Sequence, residues 1–190
     1  MREYKNIVLI GMPGVGKSTA GVIAAKTLGL KFEDTDLMIQ SKEHRLLRQI
    51  IADDGVEGFL RIEENVLKNI DQKGYLIATG GSAVYGFEGM EHLRENSLII
   101  YLHLGLDELT HRLGNLQNRG VVLKPGQTLA DIYEERLPLY RRFADIEIDE
   151  TDLDLEATVA EICGRASIYN YSQNALVFRE SGDGGGAVVL

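Results

Sequence analysis

Short runs of consecutive apolar residues recur along the chain, and longer stretches with apolar residues at helical spacing separate them. Three of these runs lie within residues 5–10, 75–79 and 98–102, are rich in β-branched residues and are short for a helix. Such runs are typical of strands that are buried on both faces of a parallel sheet. Two weaker segments bring the predicted strands to five, at 5–10, 30–33, 75–79, 98–102 and 145–148, with the last one at an edge.

The stretches between these strands favour helices. In the clearest of them, residues 56–70, the apolar side chains form one stripe along a helix. The predicted helices span 17–28, 45–53, 56–70, 107–113, 129–143 and 155–166. We expect strain or a kink at Pro138 in the helix 129–143. Residues 175–179 are expected to form either a further strand or a contact with a partner. Strands that alternate with helices predict an α/β domain with a five-stranded parallel sheet.

The composition is that of an ordinary globular chain of one domain, with 190 residues, 44% hydrophobic and 26% charged. No apolar run approaches the length of a membrane helix, the N-terminus lacks a signal-peptide pattern, and the single cysteine, Cys163, fits a reducing compartment. The net charge of −9 disfavours nucleic acid, but a few arginines in a cleft suffice for a small anionic substrate. We therefore expect a cytoplasmic monomer that binds a small molecule, and neither nucleic acid nor membranes.

A glycine-rich segment joins the first predicted strand to the first predicted helix. It reads Gly-Met-Pro-Gly-Val-Gly-Lys-Ser-Thr over residues 11–19 and fits G-x-x-x-x-G-K-[ST], the P-loop of nucleoside triphosphate-binding proteins. Glycines let backbone N–H groups converge on phosphate oxygens, and the helix N-terminus adds positive potential. Lys17 reaches the β- and γ-phosphates, and the Ser18 hydroxyl binds Mg²⁺. The predicted nucleotide-binding residues of this loop are Gly11, Gly14, Val15, Gly16, Lys17, Ser18 and Thr19.

Other features narrow the class of P-loop protein. The guanine-reading motif N-K-x-D of GTPases and the L-S-G-G-Q signature of ABC-type ATPases are absent from the sequence. Neither the strand at 75–79 nor the one at 98–102 ends in a Walker B aspartate, and acidic residues follow the second strand instead, at Asp34 and Asp36. This pattern predicts a small-molecule kinase with the three-layer sandwich of P-loop NTPases.

Segments beyond the loop resemble the shikimate kinase family of P-loop kinases. The matching segments are Asp34-Thr35-Asp36 as its D-x-D, residues 55–63 as its G-E-x-x-F-R-x-x-E helix, Gly80-Gly81-Ser82 as its glycine triplet, residues 109–113 with 118–119 as its adenine edge and lid, and residues 136–140 as its R-x-P-L-Y helix. The resemblance covers about the first 165 residues. It implies ATP- and Mg²⁺-dependent phosphorylation of the 3-hydroxyl of shikimate, in aromatic amino-acid biosynthesis. We accordingly divide the chain into a kinase domain at 1–170, with a substrate-binding segment at 33–62 and a lid at 114–127, and a glycine-rich extension at 171–190.

The resemblance implies a role for each residue that matches the family pattern. Asp34, together with Ser18, lies near Mg²⁺, while Asp36 holds the acceptor hydroxyl and takes its proton. Lys17 and Arg119 stabilise the transferred phosphoryl group. Without the P-loop, both aspartates would be interpreted as solvated loop acids or helix caps.

The same resemblance places further residues at the two ligands. Arg112 stacks on adenine, and Arg136 binds the substrate carboxylate through a bidentate fork. The alternatives are a solvated helix face for Arg112 and a snorkelling side chain for Arg136. The other residues implied at the acceptor are Leu60, Gly80, Gly81 and Ser82.

Four positions depart from the family pattern. Leu60 replaces the arginine expected after Phe59, Ser82 replaces a glycine, Gly120 replaces a lid proline and Val56 replaces a glutamate. Three of these changes lie at or beside the acceptor pocket, whereas the nucleotide side is intact. If the chain is a shikimate kinase, the changes are neutral or slow the reaction. The alternative is a kinase for another small hydroxylated metabolite. A third possibility is a nucleotide-binding protein without turnover whose C-terminal extension is a contact surface.

Overall fold

The computed structural model describes residues 4–113 and 126–180, and the side chains up to residue 168. The strands in this part of the chain are β1 (Asn6–Ile10), β2 (Lys31–Asp34), β3 (Tyr75–Ala78), β4 (Ser97–His103) and β5 (Ile146–Asp149). The helices are α1 (Lys17–Leu28), α2 (Thr35–Glu43), α3 (Leu47–Leu67), α4 (Phe87–Asn96), α5 (Leu106–Leu113), α6 (Leu129–Phe143) and α7 (Leu155–Glu180), with a 3-10 turn at Ala83–Tyr85.

All five strands run parallel, in the order β2-β3-β1-β4-β5, and helices flank the sheet. β1 lies in the centre, where Val8 is in register with Ile77 of β3 and with Ile99 of β4. Every residue of β1 is buried, as its apolar run predicts. The predicted α/β class and five-stranded parallel sheet are confirmed, and β5 is an edge strand as predicted.

Parallel strands bring their carboxyl ends to the same edge of a sheet. The segments that follow the neighbouring strands β1, β3 and β2 therefore meet at one edge. These segments are the P-loop (residues 11–19), the loop 79–82 and the start of α2. The sheet topology thus collects the predicted phosphate-binding and acceptor-binding residues in one place.

The helices α2 and α3 have a small core of their own beside this edge. Buried Ile39 of α2 packs with Ile50, Phe59 and Val66 of α3, and partly buried Leu60 packs against them. We refer to these residues as the α2–α3 cluster. The cluster is separate from the main core around the sheet. Its packing holds the two helices together at the predicted substrate-binding segment.

Two helices, α2 and α4, are absent from the sequence-based prediction. In α2 the apolar residues 37–39 are consecutive, which hides the helical period. In α4 the glycine at position 89 indicates a loop, but the structure buries it against α3, with only 2.8 Å between the Cβ it would carry and the Leu67 Cβ. Close helix packing therefore explains a glycine that sequence patterns treat as a break.

The bounds of α3 and α7 also differ from the prediction. The helices predicted at 45–53 and 56–70 form one helix, α3, with a break at Gly55, whose φ is 71°. α7 continues to Glu180, so the alternative of a strand at 175–179 is wrong. Among the helices of the described ranges, α7 included, none combines the length and the apolar character that crossing a bilayer requires.

Candidate active site

The P-loop forms the turn that its glycines predict. Gly14 and Gly16 have φ angles of 81° and 112°, a backbone region that other residues rarely adopt. α1 then begins at Lys17, and its N-cap, Gly16, offers no side chain to the first N–H groups of the helix. Those N–H groups and the positive end of the helix form an anion-binding turn.

The Lys17 side chain lies inside this turn. Its ammonium donates hydrogen bonds to the carbonyl oxygens of Gly11, at 2.8 Å, and Met12, at 2.9 Å. Burial lowers the pKa of Lys17 to about 8, although the charges of Asp36 and Asp34 oppose this shift. Because phosphate oxygens are stronger acceptors than carbonyls, the ammonium is placed to transfer its hydrogen bonds to a bound phosphate.

Asp34 has a different partner for each carboxylate oxygen. Oδ2 accepts a hydrogen bond from the Ser18 hydroxyl at 2.6 Å, and Oδ1 accepts one from the Asp36 backbone N–H at 2.9 Å, which caps α2. The helix-cap and metal-site interpretations of Asp34 are therefore compatible. Hydroxyl and carboxylate oxygens suit Mg²⁺, which takes its remaining ligands from water and phosphate. The residues present fit this ion.

A cavity of about 290 Å³ opens between the P-loop, the start of α2, the loop 79–82 and α6. We refer to it as the acceptor cavity. The Asp36 carboxyl and the Lys17 ammonium both lie in its wall. Burial, helped by the charge of Asp34, raises the pKa of Asp36 to about 6 against the opposing charge of Lys17. Its carboxylate is thus a stronger base than an ordinary aspartate, which suits it to take a proton from a hydroxyl.

The loop after β3 needs glycine because it approaches its neighbours closely. A Cβ on Gly80 would lie 2.5 Å from Glu63 Oε1 and 2.7 Å from Asp36 Oδ1. A Cβ on Gly81 would lie 2.6 Å from Pro13 Cδ in the P-loop. The two glycines therefore let the loop 79–82 lie against the P-loop and the Asp36 carboxyl at once.

Arg136 of α6 is only 1% exposed and lies in the wall of the acceptor cavity. Its Nε donates a hydrogen bond to the Tyr85 hydroxyl at 3.2 Å, and its guanidinium carbon lies 5.1 Å from the centre of the same ring. A snorkelling arginine keeps its charged end in water, so the burial of Arg136 contradicts that alternative. The position suits a guanidinium that binds a carboxylate within the cavity.

Leu60 is not among the residues that line the acceptor cavity. Among the described residues of α3, Phe59 and Leu47 line the cavity, whereas Leu60 packs against the α2–α3 cluster. Arg61, the next residue, is exposed. Neither position therefore adds a guanidinium to the cavity wall, and a contact between Leu60 and an acceptor stays a prediction.

Sequence reasoning assigned no role to Glu63, which the structure places directly behind the cavity wall. The residue is 1% exposed, and the Ser82 hydroxyl favours the charged form of its carboxyl and so lowers the pKa. Burial raises the pKa of Glu63 to about 8. The signal in the sequence is its position on the apolar stripe of α3, four residues after Phe59 and three before Val66, where a carboxylate is unusual.

A second cavity, also of about 290 Å³, adjoins the P-loop and the first turn of α1. Arg112 lies in its wall, with Nη1 at 3.4 Å from the Val15 carbonyl oxygen and 3.7 Å from Glu150 Oε2, and with Nε bonded to Glu108 at 3.2 Å. Burial raises the pKa of Glu150, which sequence reasoning did not single out, to about 7. A flat guanidinium beside the P-loop is consistent with stacking on adenine, which stays a prediction.

Most of the predicted site residues come together in this arrangement. Those around the acceptor cavity are Lys17, Ser18, Asp36, Gly80, Gly81, Ser82 and Arg136, with Asp34 bonded to Ser18. Arg119 and Gly120, like the rest of the predicted lid up to residue 125, lie outside the described residues.

Comparisons with known proteins agree with one another. The family model described as shikimate kinase matches residues 13–166. A shikimate kinase of Thiobacillus denitrificans is 37% identical over 153 residues, which cover 78% of this chain and 83% of that protein. A shikimate kinase of Methylococcus capsulatus is 35% identical over 152 residues, with 78% and 85% covered. Among solved structures, shikimate kinase from Acinetobacter baumannii in complex with shikimate matches with a TM-score of 0.75 and 27% identity, over 95% of this chain and 96% of its own.

Proposed function

Because the chain belongs to the shikimate kinase family, we propose that it transfers the γ-phosphoryl group of ATP to the 3-hydroxyl of shikimate, a step of aromatic amino-acid biosynthesis. The observation that carries the proposal is that Lys17, Asp36 and Arg136 share one cavity. The reaction requires a cation for phosphate, a base for a hydroxyl and a guanidinium for a carboxylate. The similar Acinetobacter baumannii structure, which is a complex with shikimate, supports the same acceptor.

The P-loop and the Ser18–Asp34 pair act on the phosphate donor. The N–H groups at the start of α1 and the Lys17 ammonium bind the phosphates and align them with the acceptor cavity. Ser18 and Asp34 are the residues that would hold Mg²⁺, which neutralises charge on the β- and γ-phosphate oxygens when it is bound. Arg119 is predicted to add a guanidinium at the transferred group.

Two charged residues act on the acceptor. Arg136 binds its carboxylate and so fixes the orientation of the ring, while Asp36 accepts a hydrogen bond from the hydroxyl and takes its proton during transfer. Leu47 and Phe59 give the cavity an apolar wall that excludes water from the reacting groups. The site thereby favours transfer to the acceptor over hydrolysis.

One observation favours a second candidate, a kinase of the same fold for another small hydroxylated acceptor. In the described part of the chain, Arg136 is the only arginine that lines the acceptor cavity, because Leu60 packs into the α2–α3 cluster. A hydrogen bond to a charged group contributes about 1.5–3 kcal/mol, so one guanidinium fewer weakens the preference for a carboxylate. A less charged polyol is the corresponding acceptor.

Coupled assays of ADP release with shikimate and with uncharged polyols of similar size test the two candidates. Turnover with shikimate supports the proposal, and turnover with a polyol alone supports the second candidate. ATP binding without turnover of any acceptor would contradict both. The expectation of a cytoplasmic monomer stays a prediction, for which light scattering after size-exclusion chromatography measures the oligomeric state.

Lys17→Ala is expected to abolish transfer, because the variant loses the buried ammonium that binds the phosphates. Lys26→Ala is the matched control, since Lys26 is an exposed residue of the same helix. The measurement is kcat with saturating ATP and shikimate for both variants. Full activity of Lys17→Ala would show that the P-loop assignment is wrong.

A further inference from the structure

Glu63 is a buried carboxyl that the proposed reaction leaves without a role. It lies on α3, behind the part of the cavity wall that Gly80 and Ser82 form. The Ser82 hydroxyl favours its charged form and so lowers the pKa, but Glu63 Oε1 has no hydrogen-bond partner among the described residues. Burying a carboxylate with an unsatisfied oxygen is costly, so these surroundings favour the neutral acid.

The charged and titratable groups that face Glu63 come from three helices. Asp36 of α2 disfavours its ionisation, whereas Arg136 of α6 and Lys17 of α1 favour it. Tyr140 of α6 also lies within electrostatic reach. Burial outweighs the two cations and raises the pKa to about 8, so Glu63 changes its charge not far above neutral pH.

The position of Glu63 connects that charge to the acceptor cavity. Glu63 Oε1 and Asp36 Oδ1 both lie close to the point that a Cβ of Gly80 would occupy, at 2.5 and 2.7 Å. Ionised Glu63 therefore adds a second negative charge beside the Asp36 carboxylate and within reach of the Arg136 guanidinium. In a poorly hydrated site, such charges interact more strongly than they do in bulk water.

We propose that Glu63 determines the specificity of the acceptor cavity for charge: its neutral form admits an anionic acceptor beside Arg136, and its ionised form excludes that acceptor. The inference rests on the proposed function, because it takes shikimate as the acceptor that carries the carboxylate. A negative charge at Glu63 repels that carboxylate and attracts the same guanidinium. Glu63 is thus a specificity-determining residue that acts through the charge of the cavity and not through a contact with the reacting atoms.

The expected effect on binding follows from the fraction of neutral Glu63. If the neutral form alone binds shikimate, the apparent Kd rises in proportion as that fraction falls. With a pKa of about 8 for Glu63, the Kd should rise about tenfold between pH 7 and pH 9. The methyl ester of shikimate carries no charge, and its Kd should stay nearly constant over this range.

Isothermal titration calorimetry with shikimate at pH 7, 8 and 9 tests the inference. Saturating ADP and Mg²⁺ are present, so that the phosphates keep Lys17 charged and its titration does not contribute. Glu63→Gln is expected to reduce the ratio of the Kd at pH 9 to that at pH 7 from about ten to about one. Glu57→Gln is the matched control, because Glu57 is an exposed residue of the same helix, and it should keep the full ratio.

A second variant keeps the test independent of the folding of Glu63→Gln. Ser82→Ala removes the hydroxyl that stabilises the charged form, so the midpoint of the increase in Kd should move to higher pH. A constant Kd for wild-type protein, or an unchanged ratio in Glu63→Gln, would overturn the inference and leave the proposed function standing. Failure of the wild-type protein to bind or phosphorylate shikimate at any of these pH values would overturn both.

Discussion

Replacing Gly80 by alanine is a perturbation whose size can be worked out from the structure. The φ of Gly80 is not in the positive region, so alanine causes no backbone strain there and adds only its methyl group. That group would lie 2.5 Å from Glu63 Oε1 and 2.7 Å from Asp36 Oδ1, whereas ordinary contacts begin at 3.4 Å. The two carboxyls must therefore retreat by about 0.7–0.9 Å.

This displacement acts on the group that is proposed to take the acceptor proton. A misplacement of about 1 Å at a catalytic group can cost about 100-fold in rate, and we expect a loss of that order in kcat for Gly80→Ala. The KM for ATP should change little, because neither displaced carboxyl lines the second cavity. Overpacking of this kind costs about 1–3 kcal/mol of folding stability, so the thermal midpoint should fall as well.

Steady-state kinetics with shikimate and ATP, together with thermal unfolding, measure these effects. Gly164→Ala is the matched control: outside the backbone of its own helix turn and its chain neighbours, no atom lies within 4 Å of the Cβ that alanine would add, and alanine in a helix is favoured by about 1 kcal/mol over glycine. The control should keep its activity and unfold at the same or a higher temperature. If Gly80→Ala retained the wild-type kcat, the close approach of Asp36 to the loop 79–82 would not matter for catalysis, and the reasoning would be refuted.

Two further variants separate the acceptor side from the nucleotide side. Leu60→Arg adds a cation one helical turn before Glu63 that favours the ionised form of Glu63, so the KM for shikimate at pH 7 should rise severalfold. A lowered KM would show instead that the new guanidinium binds the acceptor directly. Arg112→Ala should raise the KM for ATP by about tenfold and leave the KM for shikimate unchanged, because Arg112 lies in the wall of the second cavity. Equal effects on both KM values would contradict the stacking role.

The centre of the fold follows from local sequence signals. The apolar run of β1 and the glycine turn after it predict a strand, a P-loop and a helix, and α1 has the predicted bounds Lys17 and Leu28. α6 also has its predicted bounds, and Thr128 and Asp131 form a capping box at its start. Because these signals lie within a few residues of the element that they specify, they can be interpreted without tertiary contacts.

The orientation of side chains toward the site depends on contacts that the sequence does not show. The spacing of α3 gives the angle between Leu60 and Arg61 around the helix, but not which of them faces the acceptor cavity. That choice is fixed by the α2–α3 cluster and by the break at Gly55, which sets the rotation of the second half of α3. For this reason the predicted position of Leu60 at the acceptor does not follow from the motif alone.

Two departures from the family pattern meet at Glu63. Leu60 lies one helical turn before it on α3, and the Ser82 hydroxyl lowers its pKa by favouring the charged form. A cation at position 60 would favour the ionised form of Glu63, whereas leucine gives no such support and one serine hydroxyl offsets only part of the cost of burial. The two departures therefore change one property, the charge behind the wall of the acceptor cavity, instead of two separate contacts. The acceptor preference of this chain is accordingly controlled by the charge balance between Glu63 and Arg136.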